Sequence, residues 1–195
     1  MSTWYPVAIV QFGPPWKANG SVNTSEGAVL HSMEGSWNAA NQMLNGQSAV
    51  SWHFSVLKDG TVFQHYPTTS ACWHSGSPAN NNKYIGIEHE GKAGEPLTES
   101  QLKSSVGLVK WLAAEEGWVL ERGSTLFEHN ELYLTACPSG RIPWGYYLND
   151  PNHEDNFDTG LTRIRLEDML RLIRDEHKHS EGDPQVLHDI IDGKR

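Results

Sequence analysis

Tyr84-Ile85-Gly86-Ile87-Glu88-His89-Glu90, followed by the break Gly91–Gly94 and then Thr98-Glu99-Ser100-Gln101, opens the stretch that sets the fold class. The first seven residues, aromatic and β-branched in alternation with small or charged ones, read as a strand. Thr98 with Gln101 makes a capping box, and Leu102, Val106, Val109, Leu112 and Ala113 then recur at helical spacing as far as Glu116. A strand running directly into an amphipathic helix is the unit of an α/β protein.

Upstream, Ala28-Val29-Leu30-His31 is a short apolar run that reads as a buried strand ending on His31. Ser36 is placed to cap a helix running to about Leu44, stopped by Asn45-Gly46. Residues Val50–Leu57 and Thr61–Tyr66, separated by Lys58-Asp59-Gly60, predict a hairpin with a tight Asp-Gly turn, closed by Pro67. Ser75–Asn82, rich in small polar residues, reads as a loop. Downstream, Ile164, Leu166, Met169, Leu170, Leu172 and Ile173 predict a helix over about Thr162–His177. Strands and helices alternate without internal repeat, giving one sheet with helices packed on it.

Composition narrows the function. The 195 residues carry a formal charge of −9, which argues against nucleic-acid binding and against electrostatic docking on anionic lipid or wall. Two cysteines, Cys72 and Cys137, are not a disulfide framework. No apolar run approaches the roughly 20 residues of a membrane span, so no stable membrane insertion is expected. The N-terminus lacks the basic and apolar regions of a signal peptide. The expectation is a protein made in a cytoplasm, with oligomeric state left open.

His31, His129 and Cys137 form the residue set with most chemical potential. Two imidazoles and one thiolate suit zinc and leave a fourth position for water. On a continuous helix His129 and Cys137 would stand roughly 12 Å apart, so they converge only if their segment folds back as a loop. Pro138 favours an extended or turn backbone at Cys137. Spacing alone leaves a metal site and ordinary core or surface histidines equally open.

Further strings occur in order along the chain. They are Leu30-His31-Ser32, Trp52-His53-Phe54 before Lys58-Asp59-Gly60-Thr61, Cys72-Trp73-His74-Ser75-Gly76, Tyr84-Ile85-Gly86-Ile87-Glu88, and Phe127-Glu128-His129-Asn130-Glu131 with Thr135-Ala136-Cys137-Pro138-Ser139-Gly140-Arg141. Together they resemble the type-2 N-acetylmuramoyl-L-alanine amidases, which include phage lysins and peptidoglycan recognition proteins. The resemblance runs from about Gly27 to Trp144. It implies a single mixed β-sheet flanked by helices, with zinc (Zn2+) held by His31, His129 and Cys137 at the floor of a groove. The implied reaction is cleavage of the amide between N-acetylmuramic acid and L-alanine in bacterial peptidoglycan.

That resemblance also assigns roles. Many members carry a tyrosine where Trp52 stands, and an indole exchanges no proton in this range, so proton transfer falls to Glu88. Thr135 is expected to donate to the oxyanion, although a hydroxyl bonded to local backbone is an equal alternative. His74 is expected to line the groove and bind substrate, with Trp37, Trp73 and Trp144 as further contacts. His53 and His65 read as structural, His89 as a polar residue where an apolar one is expected, and Cys72 as a buried thiol. The resulting division is an irregular lead-in over 1–26, a zinc amidase domain over 27–148, and a C-terminal helix with a mobile tail over 149–195. A compact amidase without wall-binding repeats suits a phage endolysin acting on the wall after release. The alternatives are a bacterial recycling or autolytic amidase, a non-catalytic peptidoglycan-binding protein, or a thiol hydrolase using Cys137.

Overall fold

A computed structural model describes residues 3–148, all within one compact unit, Met1–His153. The helix expected over Thr162–His177 and the tail after it lie outside the described residues.

The strands are β1 (Ile9–Val10), β2 (Ala18–Val22), β3 (Gly27–Ser32), β4 (Phe54–Val56), β5 (Val62–Gln64), β6 (Ser70–Cys72), β7 (Tyr84–His89) and β8 (Leu126–Glu128). The helices are α1 (Trp37–Asn45), α2 (Pro78–Asn81), α3 (Glu99–Glu116), α4 (His129–Leu132) and α5 (Trp144–Tyr147). Six strands form a mixed sheet in the order β1-β5-β4-β7-β3-β8, with only the β4–β5 pair antiparallel. β2 and β6 pair antiparallel in a separate small sheet. The expected lead-in over 1–26 is therefore not irregular throughout. Its polar, glycine-rich sequence hides two strands whose partners lie more than 40 residues away, and no local pattern reports such pairing.

β3 is buried along its whole length, with Ala28, Val29 and Leu30 fully inaccessible, as expected for a parallel strand covered on both faces. α3 lays Leu102, Val106, Leu108, Val109 and Leu112 into the core. Thr98 caps it by accepting from the Gln101 amide, and Gly117 ends it at φ 73°. Only half of the expected capping box forms. The Gln101 side chain is buried and donates to the Val56 and Glu90 carbonyls, tying α3 to the ends of β4 and β7. α1 is capped by Ser36 as its sequence predicts. The hairpin also forms, but with three-residue strands around the turn in which Gly60 adopts φ 91°. Trp52 and His53 precede β4 instead of lying within it, and the expected loop after Ser75 contains the single turn α2, with Pro78 at its start.

Two histidines inside this core have both ring nitrogens partnered. His53 donates from Nε2 to the Ser70 carbonyl (2.7 Å) and accepts at Nδ1 from the Gly86 amide (3.0 Å). His65 donates from Nδ1 to the Gln11 carbonyl, and its Nε2 accepts from the Ser55 hydroxyl. Trp52 donates to the same Ser55 and packs with Ala40, Leu44, Tyr66 and Cys72. Burial lowers both histidines to about 4, while in the unfolded chain each titrates near 6.5. The folded state thus favours the neutral rings. Their stabilisation is complete above pH 6.5 and is lost as pH falls toward 4. Urea denaturation should show a loss of roughly 2–3 kcal/mol per histidine between pH 7 and pH 4.5. A flat profile over that window would contradict this account.

Candidate active site

The carboxyl ends of parallel strands are where an α/β sheet presents its ligand site, and register places the key residues there. His31 pairs with Glu88 across β3 and β7, and Leu30 pairs with Glu128 across β3 and β8. His129, the next residue after β8, therefore emerges beside His31, and their rings lie 4.5 Å apart. Cys137 returns because the segment after His129 makes one helical turn and then doubles back. Tyr133 is extended, and the Asn130 amide donates to the Cys137 carbonyl (2.9 Å). Glu131 accepts from the Glu128 amide at the start of that turn, and Arg122 holds Glu131 in turn (2.8 Å).

Donor atoms of His31, His129 and Cys137 all lie within 4.8 Å of one another. His31 Nδ1 is 3.8 Å from Cys137 Sγ, close to the roughly 3.6 Å separating nitrogen and sulfur ligands on a tetrahedral zinc. His129 Nε2 and Glu88 Oε2 are buried without a hydrogen-bond partner, and both belong to this site. A cation with a water beside it would satisfy such groups, so the residues fit zinc. The Ser32 amide donates to Cys137 Sγ (3.2 Å), a contact that favours the thiolate.

Glu88 Oε1 lies 4.0 Å from His31 Nδ1. Burial, reinforced by nearby Glu34 and opposed by Arg141, pushes the Glu88 carboxyl up to about 8. Burial and then the Glu88 charge push the Cys137 thiol up to about 12. Burial holds His31 well below its ordinary value, keeping the ring neutral.

The N-acetylmuramoyl-L-alanine amidase family model matches residues 21–140 of the chain. The chain belongs to this family. Solved structures share its fold. LysCS, an endolysin N-acetylmuramoyl-L-alanine amidase from Clostridium intestinale, superposes with a TM-score of 0.57 at 19% identity, covering 77% of this chain and 98% of that one. A mutant endolysin from Bacillus subtilis gives 0.60 at 23% identity over 73% and 96%. A selenomethionine derivative of AmpD gives 0.62 at 17% identity over 75% and 96%. None of the curated proteins compared matches the chain.

Other residues singled out in the sequence of this amidase occupy varied places. Thr135 Oγ1 accepts from the Cys137 amide (3.2 Å), which is the local backbone bond weighed as its alternative, and its own proton remains to donate. His74 has both ring nitrogens engaged, Nδ1 with His31 and Nε2 with the Tyr84 carbonyl, so it stands behind His31 with no ring nitrogen left for the groove. Trp37 stacks on Phe63 and His65, over a strand separated from β3 by two others. Trp144 donates to Glu128 and lies beneath the Arg122 guanidinium. Trp73 is half-buried, next to His74, with its main chain paired to Ser51. His89 is fully buried and bonded to the His31 carbonyl and to Ser105.

Two residues escaped the sequence reading. Arg141, buried, donates to the carbonyls of Glu95, His89 and Glu90 and to Ser32 Oγ, clamping the chain that follows Cys137. A lone arginine closing the Cys-Pro-Ser-Gly string was the available signal. Half-exposed Tyr133 stacks on His129 with its ring nearly parallel, and it packs against Gly76, where a Cβ would lie 2.8 Å from the ring. Nothing in the sequence marked it.

Proposed function

We propose that the chain is a zinc-dependent N-acetylmuramoyl-L-alanine amidase acting on bacterial peptidoglycan as a phage endolysin. The observation that carries this reading is the convergence of His31, His129 and Cys137 on one point with Glu88 beside them. These three side chains would hold zinc. Bound there, zinc would polarise the scissile carbonyl and acidify the attacking water. Glu88, as carboxylate, takes that water's proton and returns one to the leaving amine. A cation at the triad lowers the cost of charge on Glu88, opposing the burial and the Glu34 charge that raise it. The Thr135 hydroxyl, which accepts from the Cys137 amide and keeps its own proton, would donate toward the developing oxyanion. Tyr133, half-exposed and stacked on His129, is the substrate contact this arrangement favours, with half-buried Trp73 beside His74 as a second.

Two competing readings are less consistent with the site. A binding module without catalysis has no need of a complete donor set beside a carboxylate with a buried, unpartnered oxygen. A thiol nucleophile would have to ionise a group that its surroundings hold near 12. The endolysin role is supported by the fold shared with endolysins. Among the described residues no helix is long and apolar enough to cross a membrane.

Purified protein should contain about one zinc per chain and release new amino termini from cell wall while leaving muramyl glycan intact. Chelation should abolish that release, and added zinc should restore it. Wall binding without release, or activity that survives in metal-free protein, would overturn the reading.

A further inference from the structure

Resting on the zinc reading, we propose that His74 is a positioning residue that fixes the tautomer of His31, making Nδ1 its metal-binding nitrogen. The direction of each hydrogen bond follows from its far end. The Tyr84 carbonyl can only accept, so His74 Nε2, 3.0 Å away, carries a proton. Among the described residues no carboxylate bonds the buried His74 ring, which is therefore held as the neutral imidazole, and its single proton on Nε2 leaves a lone pair at Nδ1. That lone pair faces His31 Nε2 at 3.0 Å, and His31 Nε2 therefore carries the proton. His31 Nδ1 is left with its lone pair, aimed at the site where Cys137 Sγ and Glu88 Oε1 lie 3.8 and 4.0 Å away.

The surroundings hold each member of this relay in place. Tyr84's carbonyl also accepts from Asn23 Nδ2 (2.8 Å), which anchors the starting point. The His74 amide donates to Asn81 Oδ1, whose oxygen also accepts from Ser75. On its other side the His74 ring lies on Gly86, where a Cβ would stand 2.6 Å from His74 Cγ. Glycine in the middle of β7 is thus the residue that admits the ring. The His31 main chain is pinned by the His89 Nδ1–H bond to its carbonyl (2.8 Å). A ligand imidazole whose second nitrogen donates to a partner is the arrangement that orients metal ligands generally, and loss of such a partner typically weakens metal binding 10- to 100-fold.

Two measurements test this. In 15N-labelled, zinc-free wild-type protein, two-bond proton–nitrogen correlations should show His31 protonated on Nε2 and bare at Nδ1, and His74 protonated on Nε2. The opposite His31 tautomer overturns the proposal whatever any variant does. Zinc affinity, measured by competition with a chromophoric chelator, should fall 10- to 100-fold in His74→Leu. It should recover to within a few-fold of wild type in His74→Gln, whose amide both accepts and donates. Unchanged affinity in His74→Leu overturns this inference while leaving the zinc reading intact. A wild-type protein that takes up no zinc overturns the zinc reading itself.

Discussion

Glu88→Gln is expected to lower turnover on peptidoglycan by about two to four orders of magnitude while zinc binding persists. The substitution keeps the shape of the side chain and removes only its ability to take a proton. Its position on β7, paired with His31 in the neighbouring strand, is set by backbone register and does not depend on the carboxylate. The loss should therefore appear in kcat more than in KM. Stability gives a second readout with the opposite sign. Glu88 Oε2 is buried and unpartnered, and burial and then Glu34 disfavour charge on the carboxyl, so a neutral amide removes that cost and the urea midpoint should not fall. Turnover near wild type in the variant would exclude Glu88 as the proton acceptor. Since Trp52 sits in the core bonded to Ser55, the acceptor would then have to be sought elsewhere, with Tyr133, stacked on His129, a group to test.

Arg141→Ala should destabilise the fold by roughly 3 kcal/mol and weaken zinc binding as well. Hydrogen bonds from a charged donor are worth about 1.5–3 kcal/mol each, and removing the donor leaves buried acceptors short of partners. Arg141 serves three carbonyls and Ser32 Oγ together, spanning the ends of β3 and β7 and the loop before α3. Two of those carbonyls keep another donor, His89 from the Met33 amide and Glu90 from Gln101, which limits the cost to less than the sum of four bonds. Arg141→Lys should rescue little, because a single ammonium cannot replace the planar fork. Gly91 is matched to the same clamp. It adopts φ 120°, and a Cβ there would fall 2.2 Å from Arg141 Nη2. Urea unfolding with an unchanged m-value measures the effect directly. A change below about 0.5 kcal/mol would show that the clamp contributes nothing to stability.

The two predictions differ in how far the sequence alone could reach them. Glu88 stood out because it interrupts an apolar strand inside a family motif. Arg141 was merely the residue after Ser139-Gly140 until the fold brought four acceptors around it. The same division runs through the rest of the molecule. α3 and α1 were legible because their signals are local: Thr98 or Ser36 at the cap, apolar residues at helical spacing, and a glycine at the end. β3 was legible as a short continuous apolar run, which a strand buried on both faces requires, and β7 by aromatic and β-branched residues alternating with small or charged ones. The strands of the first 22 residues were not, since their partners are supplied by β5 and β6.

Within the site, sequence determined the chemical inventory: two imidazoles, a thiol and a carboxyl, in an order that resembles one family. Tertiary structure decided where each stands. It folded the nine residues from His129 to Cys137 back on themselves, which no helical or strand period predicts. It turned His74 from an expected groove contact into the partner behind His31, by placing a carbonyl that can only accept at one end of its ring. Side-chain identity is written in the chain, but a hydrogen bond's direction and a ligand's convergence depend on groups brought from far along it. That is why the candidate metal triad was nameable from sequence, whereas the residues packed behind it emerged only from the fold.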